Sequence, residues 1–404
     1  MTCAGVVSTF DWFEKVAAMS LRNRGAAQGI RRSAKGATRG KVPALALLCV
    51  LNATLTLAAP TPSSGHYSME DFQRLDKIDA HLHIHGSAEQ FMAQAISDGF
   101  RVLTINVDYP DFPPIDIQQR DAIALRKKYP GRVAFAAAFS VADFQSPDWA
   151  ANQLSHLDAA FAEGAVGVKV WKNIGMTLRD PDGKYVMVDD PRLKPIFDRL
   201  EHGNIVVLGH QAEPLNCWLP FEKMTIRSDR DYFREHPQYY MYRHPEVPSH
   251  EAQLAARDHL LTQHPALRFD SVHLASLEWD VTRIARFLDR FPKANVDVAA
   301  RMSHLEYQAT RNREKVRRFL IRYQDRILYG TDIEVGPDGA ATVAAEAHKT
   351  WVEDWRFLNT AEEMHSTEFE PAFRGLALPR TVVEKIYSGN ARKMYPGAWD
   401  QEPR

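Results

Sequence analysis

Two histidines, His81 and His83, close the run KIDAHLHIH at residues 77–85, two positions apart and with Asp79 before them in an Asp-x-His-x-His pattern. On a β-strand that spacing turns both imidazoles to one face, from which they can hold a divalent cation. The pattern alone is weak: with 16 His in 404 residues, about 0.6 His-x-His pairs arise by chance. Further along the chain, His210 follows NIVVLG, His273 lies within RFDSVHLA, and Asp332 ends RILYGTD. Three imidazoles and a carboxylate suit a zinc-class cation with one coordination position left open. Such a cation polarises carbonyl groups and makes water more acidic. Taken singly, each residue has a plainer reading, the histidines as satisfied strand ends and the aspartate as a cap. Their weight therefore depends on whether the fold brings them together.

The pattern of the chain indicates that it does. Short apolar runs at 77–84, 101–107, 132–141, 166–174, 204–210, 268–275, 295–301 and 326–333 read as strands apolar on both faces, as buried parallel strands are. Between them lie segments with apolar residues at helical spacing, several ending in Gly or just before Pro. Strand–helix alternation repeated eight times predicts an α/β fold, a (β/α)8 TIM barrel. A doubly wound sheet is the competitor, but it usually carries a Gly-rich nucleotide turn, and no G-x-G-x-x-G occurs. In the barrel, His81, His83, His210, His273 and Asp332 share the rim formed by the C-terminal strand ends, where barrel active sites lie. Long connections after strand 5 (211–250) and strand 8 (334–375) leave from the same rim. The first is dense in aromatic residues, Arg and His, and suits a lid or a contact between copies in a homo-oligomer. At other strand ends, Arg301 is placed to grip a substrate carboxylate, with Asp297 or Glu278 as competing partners. Trp171 and Glu213 occupy rim positions, and His85 reads as a rim or supporting residue.

At this point the residues resemble the amidohydrolase superfamily, specifically its amidohydrolase-2 branch, related to aminocarboxymuconate-semialdehyde decarboxylase. The likeness covers about residues 77–397 and rests on DAHLHIHG, GVKVWKNIGM, LGHQAEP, VHLASLEW, YGTD and EKIYSGNARKMYP taken as a set. It implies that His81, His83, His210 and Asp332 bind one divalent metal ion, with zinc the expected element. It also implies that His273 orients or deprotonates a water or polarises the substrate, and that Asp332 shuttles a proton. Geometry alone also allows His273 as a ligand. Lys169 stands where binuclear relatives carry a carboxylated lysine, although the branch this chain resembles is usually mononuclear.

Composition narrows the partners. The formal charge is −1, and basic residues concentrate before residue 42, where Arg22, Arg24, Arg31, Arg32, Lys35, Arg39 and Lys41 precede the apolar stretch 42–59. A basic segment, an apolar core and small residues before Pro60 predict a secretory signal, cleaved rather than retained as an anchor. Residues 1–66 are thus read as leader and linker and 67–400 as the barrel, exported to a periplasmic or extracellular space without a stable membrane span. The mildly acidic remainder argues against nucleic acid. Cys217 is its single cysteine, which excludes an internal disulfide.

The expected function is a metal-dependent hydrolase, in which an activated water attacks an ester, lactone or amide carbonyl of a small, carboxylate-bearing substrate. The alternatives are a metal-dependent non-oxidative decarboxylase and, further off, a non-catalytic binding barrel.

Overall fold

A computed structural model describes residues 65–336 and 340–400. Eight parallel strands follow one another around a curled sheet: β1 (Lys77–Ile84), β2 (Phe100–Ile105), β3 (Val133–Ala138), β4 (Gly167–Val170), β5 (Val206–Gly209), β6 (Arg268–Ser271), β7 (Ala294–Asp297) and β8 (Ile327–Leu328). A ninth segment, β9 (Ile333–Val335), pairs in parallel with β1. The eighth strand is therefore broken in two, its first half bonded to β7 and its second half to β1. Ala80 N donates to Tyr329 O at the break, 2.9 Å away. The sheet closes there, as a (β/α)8 barrel requires.

Helices cover the outside in the order expected of right-handed crossovers: α1 (Glu89–Ser97), α2 (Ile115–Lys128), α3 (Trp149–Ala162), α4 (Lys194–His202), then α5 (Arg227–Glu235) and α6 (His250–Gln263) after β5. α7 (Val281–Arg290) and α8 (Met302–Arg322) follow β6 and β7. After β9 comes α9 (Ala340–Asn359), where the sequence reading expects only a long loop. Its helix is set by Ala344, Ala347, Trp351, Trp355 and Leu358, all buried and spaced three or four apart. Trp351 stacks on Phe100 at 4.4 Å and meets Phe91 of α1 at 5.7 Å.

The barrel interior is apolar at its lower end. Ile78, Ala80, Leu103, Ile105, Ala134, Ala136, Val206, Leu208 and Leu328 fill it, together with Met394, Tyr395 and Trp399 from the end of the chain. Trp399 Nε1 donates to Val102 O at 3.2 Å, so the C-terminal segment plugs the barrel base.

The connection after strand 5 is also built rather than loose. It contains α5 and several single turns, and Cys217, Met224, Phe233, Tyr240, Met241 and Val247 form a small core of their own. Of its large apolar side chains, Tyr242 alone is exposed. The aromatic residues that suggested an interface are mostly spent on this local packing.

Between α8 and α9 lies a buried pair of acids. Burial, Asp354 and neighbouring Glu353 and Glu368 push the Glu306 carboxyl up to about 8, and burial lifts Asp354 to about 7 against a hydrogen bond from Tyr329. An acid whose folded pKa is raised favours the fold at low pH, and that contribution fades as pH climbs towards the raised value. Glu306→Gln is therefore expected to be more stable than the parent chain above about pH 8, with the gap closing towards pH 5. Paired urea melts across that range check this; a gap independent of pH would contradict it.

Candidate metal centre

Strict alternation along β1 would place Asp79 with the histidines, but the register between β1 and β2 shifts between Asp79 and Leu82. This β-bulge turns the strand over. Ile78 and Ala80 face the barrel interior, whereas Asp79 points outward, accepting from Thr331 Oγ1 at 2.7 Å and Trp351 Nε1 at 3.0 Å. Beyond the bulge His81 and His83 face inward. Asp79 is thus a brace behind the strand.

The opposing residues arrive on strand ends with unusual backbone. Asp332 has φ 67° at the break between β8 and β9, and its N–H donates to His81 O at 2.7 Å. Gly330 is required just before it, because a Cβ there would lie 2.7 Å from His81 Cβ. The expected strand 268–275 stops at Ser271, and His273, Leu274, Ala275 and Ser276 have φ values of 58°, 56°, 60° and 49°. Left-handed backbone costs about 1–2 kcal/mol for each non-glycine residue. It is held here by Arg257 Nη1 donating to Ala275 O at 2.5 Å and Ser276 Oγ to Ala212 O at 3.0 Å. Four consecutive strained residues cannot continue a strand, and they swing His273 inward.

The five predicted residues come together at one rim. One ligand-type atom from each of His81, His273 and Asp332 lies within 4.8 Å of the others. His83 Nε2 and His81 Nε2 are each 3.2 Å from Asp332 Oδ1. The His210 ring lies 4.2 Å from that of His273, and its buried Nε2 has no hydrogen-bond partner. Asp332 keeps 29% of its side-chain exposure while His81 keeps none, so the carboxylate faces the mouth and His81 the interior.

The chemistry of these donors fits a cation. His83 Nδ1 bonds Ile105 O at 2.7 Å and His273 Nδ1 bonds Ala299 O at 2.9 Å; a carbonyl only accepts, so each Nδ1 carries the hydrogen and each Nε2 keeps its lone pair. Burial pushes His210 and His273 well below the ordinary histidine range and lowers His83 as well, which keeps these rings neutral. For His81, burial and the Lys169 ammonium pull down, yet the carboxylates of Asp297 and Asp332 prevail and lift it to about 8. Burial would raise Asp332, but the imidazoles of His273 and His81 hold its carboxyl well below the usual range.

Other expected residues divide. Lys169 points inward, Nζ 3.1 Å from His81 Nε2, and burial lowers it to about 8 against the carboxylates of Asp332, Asp297 and Asp270. Arg301 is buried at the rim; its Nη1 donates to Ala300 O at 2.9 Å and its Nε has no partner. Neither Asp297 nor Glu278 forms an ion pair with it among the described residues. Trp171 packs on Tyr109 at 4.6 Å. Glu213 is held by Lys172. His85 is buried against Phe112 at 4.6 Å with both ring nitrogens unpartnered, and burial takes it down to about 4. The residue the sequence reading misplaces is Asp297, which bonds His81 Nδ1 at 2.5 Å. Its signal is an aspartate inside an apolar strand, where Asp is disfavoured.

Among the described residues no helix is long and apolar enough to cross a membrane, and the expected leader lies outside them. The chain is similar to an uncharacterized TIM-barrel protein from Bordetella bronchiseptica (15% identity, TM-score 0.47, covering 79% of this chain and 98% of that one). It is similar also to 2,6-dihydroxybenzoate decarboxylase from Rhizobium (16%, TM-score 0.46, 80% and 98%). A third likeness is to 4-oxalomesaconate hydratase from Rhodopseudomonas palustris (13%, TM-score 0.40, 79% and 95%). No curated protein matches the chain. The Amidohydro_2 family profile, described as amidohydrolase, matches residues 78–397. The chain therefore belongs to the amidohydrolase family, whose members are metal-dependent enzymes, hydrolytic or decarboxylating.

Proposed function

We propose that this enzyme is a hydrolase of a small, carboxylate-bearing substrate with an ester, lactone or amide carbonyl. The observation that carries the reading is the group His81, His273 and Asp332, with ligand-type atoms within 4.8 Å of one another at the barrel rim. We assign His81, His83, His210 and Asp332 to one divalent cation, and zinc suits three imidazoles and a carboxylate. Once bound, the cation polarises a carbonyl and eases deprotonation of water. His273, buried and neutral, orients the attacking water and takes its proton. Asp332, facing the mouth, relays that proton from His273 to the leaving oxygen or nitrogen. Arg301, with its unpartnered Nε, binds the substrate carboxylate bidentately, and Trp171 with Tyr109 forms an apolar wall. The 211–250 connection covers the mouth and limits entry of bulk water.

Decarboxylation is the second reading, favoured by two cationic side chains, Arg301 and Lys169, near the same group of histidines. Product analysis separates the two. The hydrolase reading expects acid released from a panel of lactones, esters and amides, and CO2 release alone from carboxylated aromatics would replace it with the decarboxylase.

The metal assignment has its own check. Elemental analysis of the purified chain is expected to find about one divalent ion per protein, with His81→Ala and Asp332→Ala each lowering that content at least tenfold. Unchanged content in both variants would remove the assignment.

We also infer export, supported by the basic segment and apolar stretch that precede Pro60. Terminal sequencing of the protein recovered outside the cytoplasm is expected to begin close to Pro60; recovery of the full leader on exported protein would contradict cleavage.

A further inference from the structure

Asp297 ends β7 and is fully buried. Its two oxygens are used differently. Oδ2 bonds His81 Nδ1 at 2.5 Å, whereas Oδ1 accepts from His273 N at 2.6 Å and from Ala299 N at 3.2 Å. One carboxylate therefore joins a ring on β1 to the first residue of the left-handed turn after β6, across 216 positions of sequence in one direction and 24 in the other. The Ala299 carbonyl, two residues on, accepts from His273 Nδ1 at 2.9 Å. The end of β7 thus grips His273 by both its backbone and its ring, and grips His81 by its ring.

We propose that Asp297 is a positioning residue for the cation site. It fixes His81 in the tautomer that carries hydrogen on Nδ1, so that Nε2 presents a lone pair to the cation, and its other oxygen anchors the strained turn that carries His273. Carboxylates behind ligating histidines act in this way, orienting the ring and raising its basicity. A general structural ion pair is the simpler account of a buried Asp–His contact. It does not explain why one oxygen is reserved for the ring while the other meets the backbone at the point where strain begins. The proposal rests on the metal assignment above, and its test must be able to fail separately.

Asp297→Asn supplies that test. With its carbonyl oxygen in the place of Oδ1, the amide still accepts from His273 N and Ala299 N, so the turn keeps its anchor. Its NH2 then faces His81 Nδ1, and two donors cannot share that contact. The ring must move its hydrogen to Nε2, where it blocks the cation. The full chain is titrated with Co2+ and followed by its visible absorption, with melting temperature measured on the metal-free protein. The expected result is affinity 10–100-fold weaker with an altered Co2+ spectrum, while the metal-free variant melts within a few degrees of the parent. Co2+ affinity within twofold of the parent and an unchanged spectrum would overturn the proposal and leave the metal assignment standing. A parent chain that takes up no Co2+ would instead sink the metal assignment. Should the variant fail to fold, 15N NMR of the parent's histidine rings decides: His81 with hydrogen on Nδ1 supports the proposal, and hydrogen on Nε2 alone overturns it.

Discussion

The seam between the first strand and the broken eighth strand closes on the backbone of His81. Thr331 N and Asp332 N both donate to His81 O, at 3.3 and 2.7 Å, and the approach is close enough that Gly330 tolerates no side chain. Closing the sheet and assembling the site are therefore one event. A barrel that failed to close would leave Asp332 away from the histidines, and a displaced His81 would open the seam. The bulge in β1 serves the same junction, turning Asp79 outward to brace Thr331 and Trp351 while the two histidines turn in.

Ionisable groups enclosed by such a seam must compensate one another, since an isolated buried charge is far too costly. Lys169 lies among the carboxylates of Asp270, Asp297 and Asp332. Burial and the neighbouring charge of Asp297 push the Asp270 carboxyl well above the ordinary range, so charge collects on Asp297 and Asp332, the two acids that face histidines. The remaining imidazoles stay neutral because burial disfavours their charged forms. The result is a centre rich in lone pairs, with positive charge confined to Lys169, His81 and the Arg301 guanidinium at the rim.

Much of this was legible from residue types. Buried parallel strands read as short apolar runs, and chemistry at a barrel rim places polar residues at the ends of those runs, so His81, His83, His210, His273 and Asp332 could be gathered without coordinates. Three things were hidden, for distinct reasons. The bulge has no glycine or proline to announce it, so the Asp-x-His-x-His pattern does not show that Asp79 faces away from the histidines. The turn after β6 is made of His, Leu, Ala and Ser, residues that do not favour left-handed backbone; tertiary bonds from Asp297 and Arg257 impose it. Finally, α9 follows the polar segment GPDG, and its apolar face is matched only by residues far away in sequence, Trp351 meeting Phe91 and Phe100 and Trp355 meeting Phe72.

The plug formed by Met394, Tyr395 and Trp399 is a second closure of the barrel, at its floor. Tyr395 lies against β4 at Gly167 and Trp399 Nε1 donates to Val102 O of β2, so early strands of the barrel are tied to residues beyond β9. The rim joins His81 to Asp332, some 250 positions apart, and the plug joins Val102 to Trp399 across 297. Loop closure over such distances slows folding. Without the plug, water would reach Ile78, Leu103 and Val206 from below, so the floor protects the apolar core on which the rim stands.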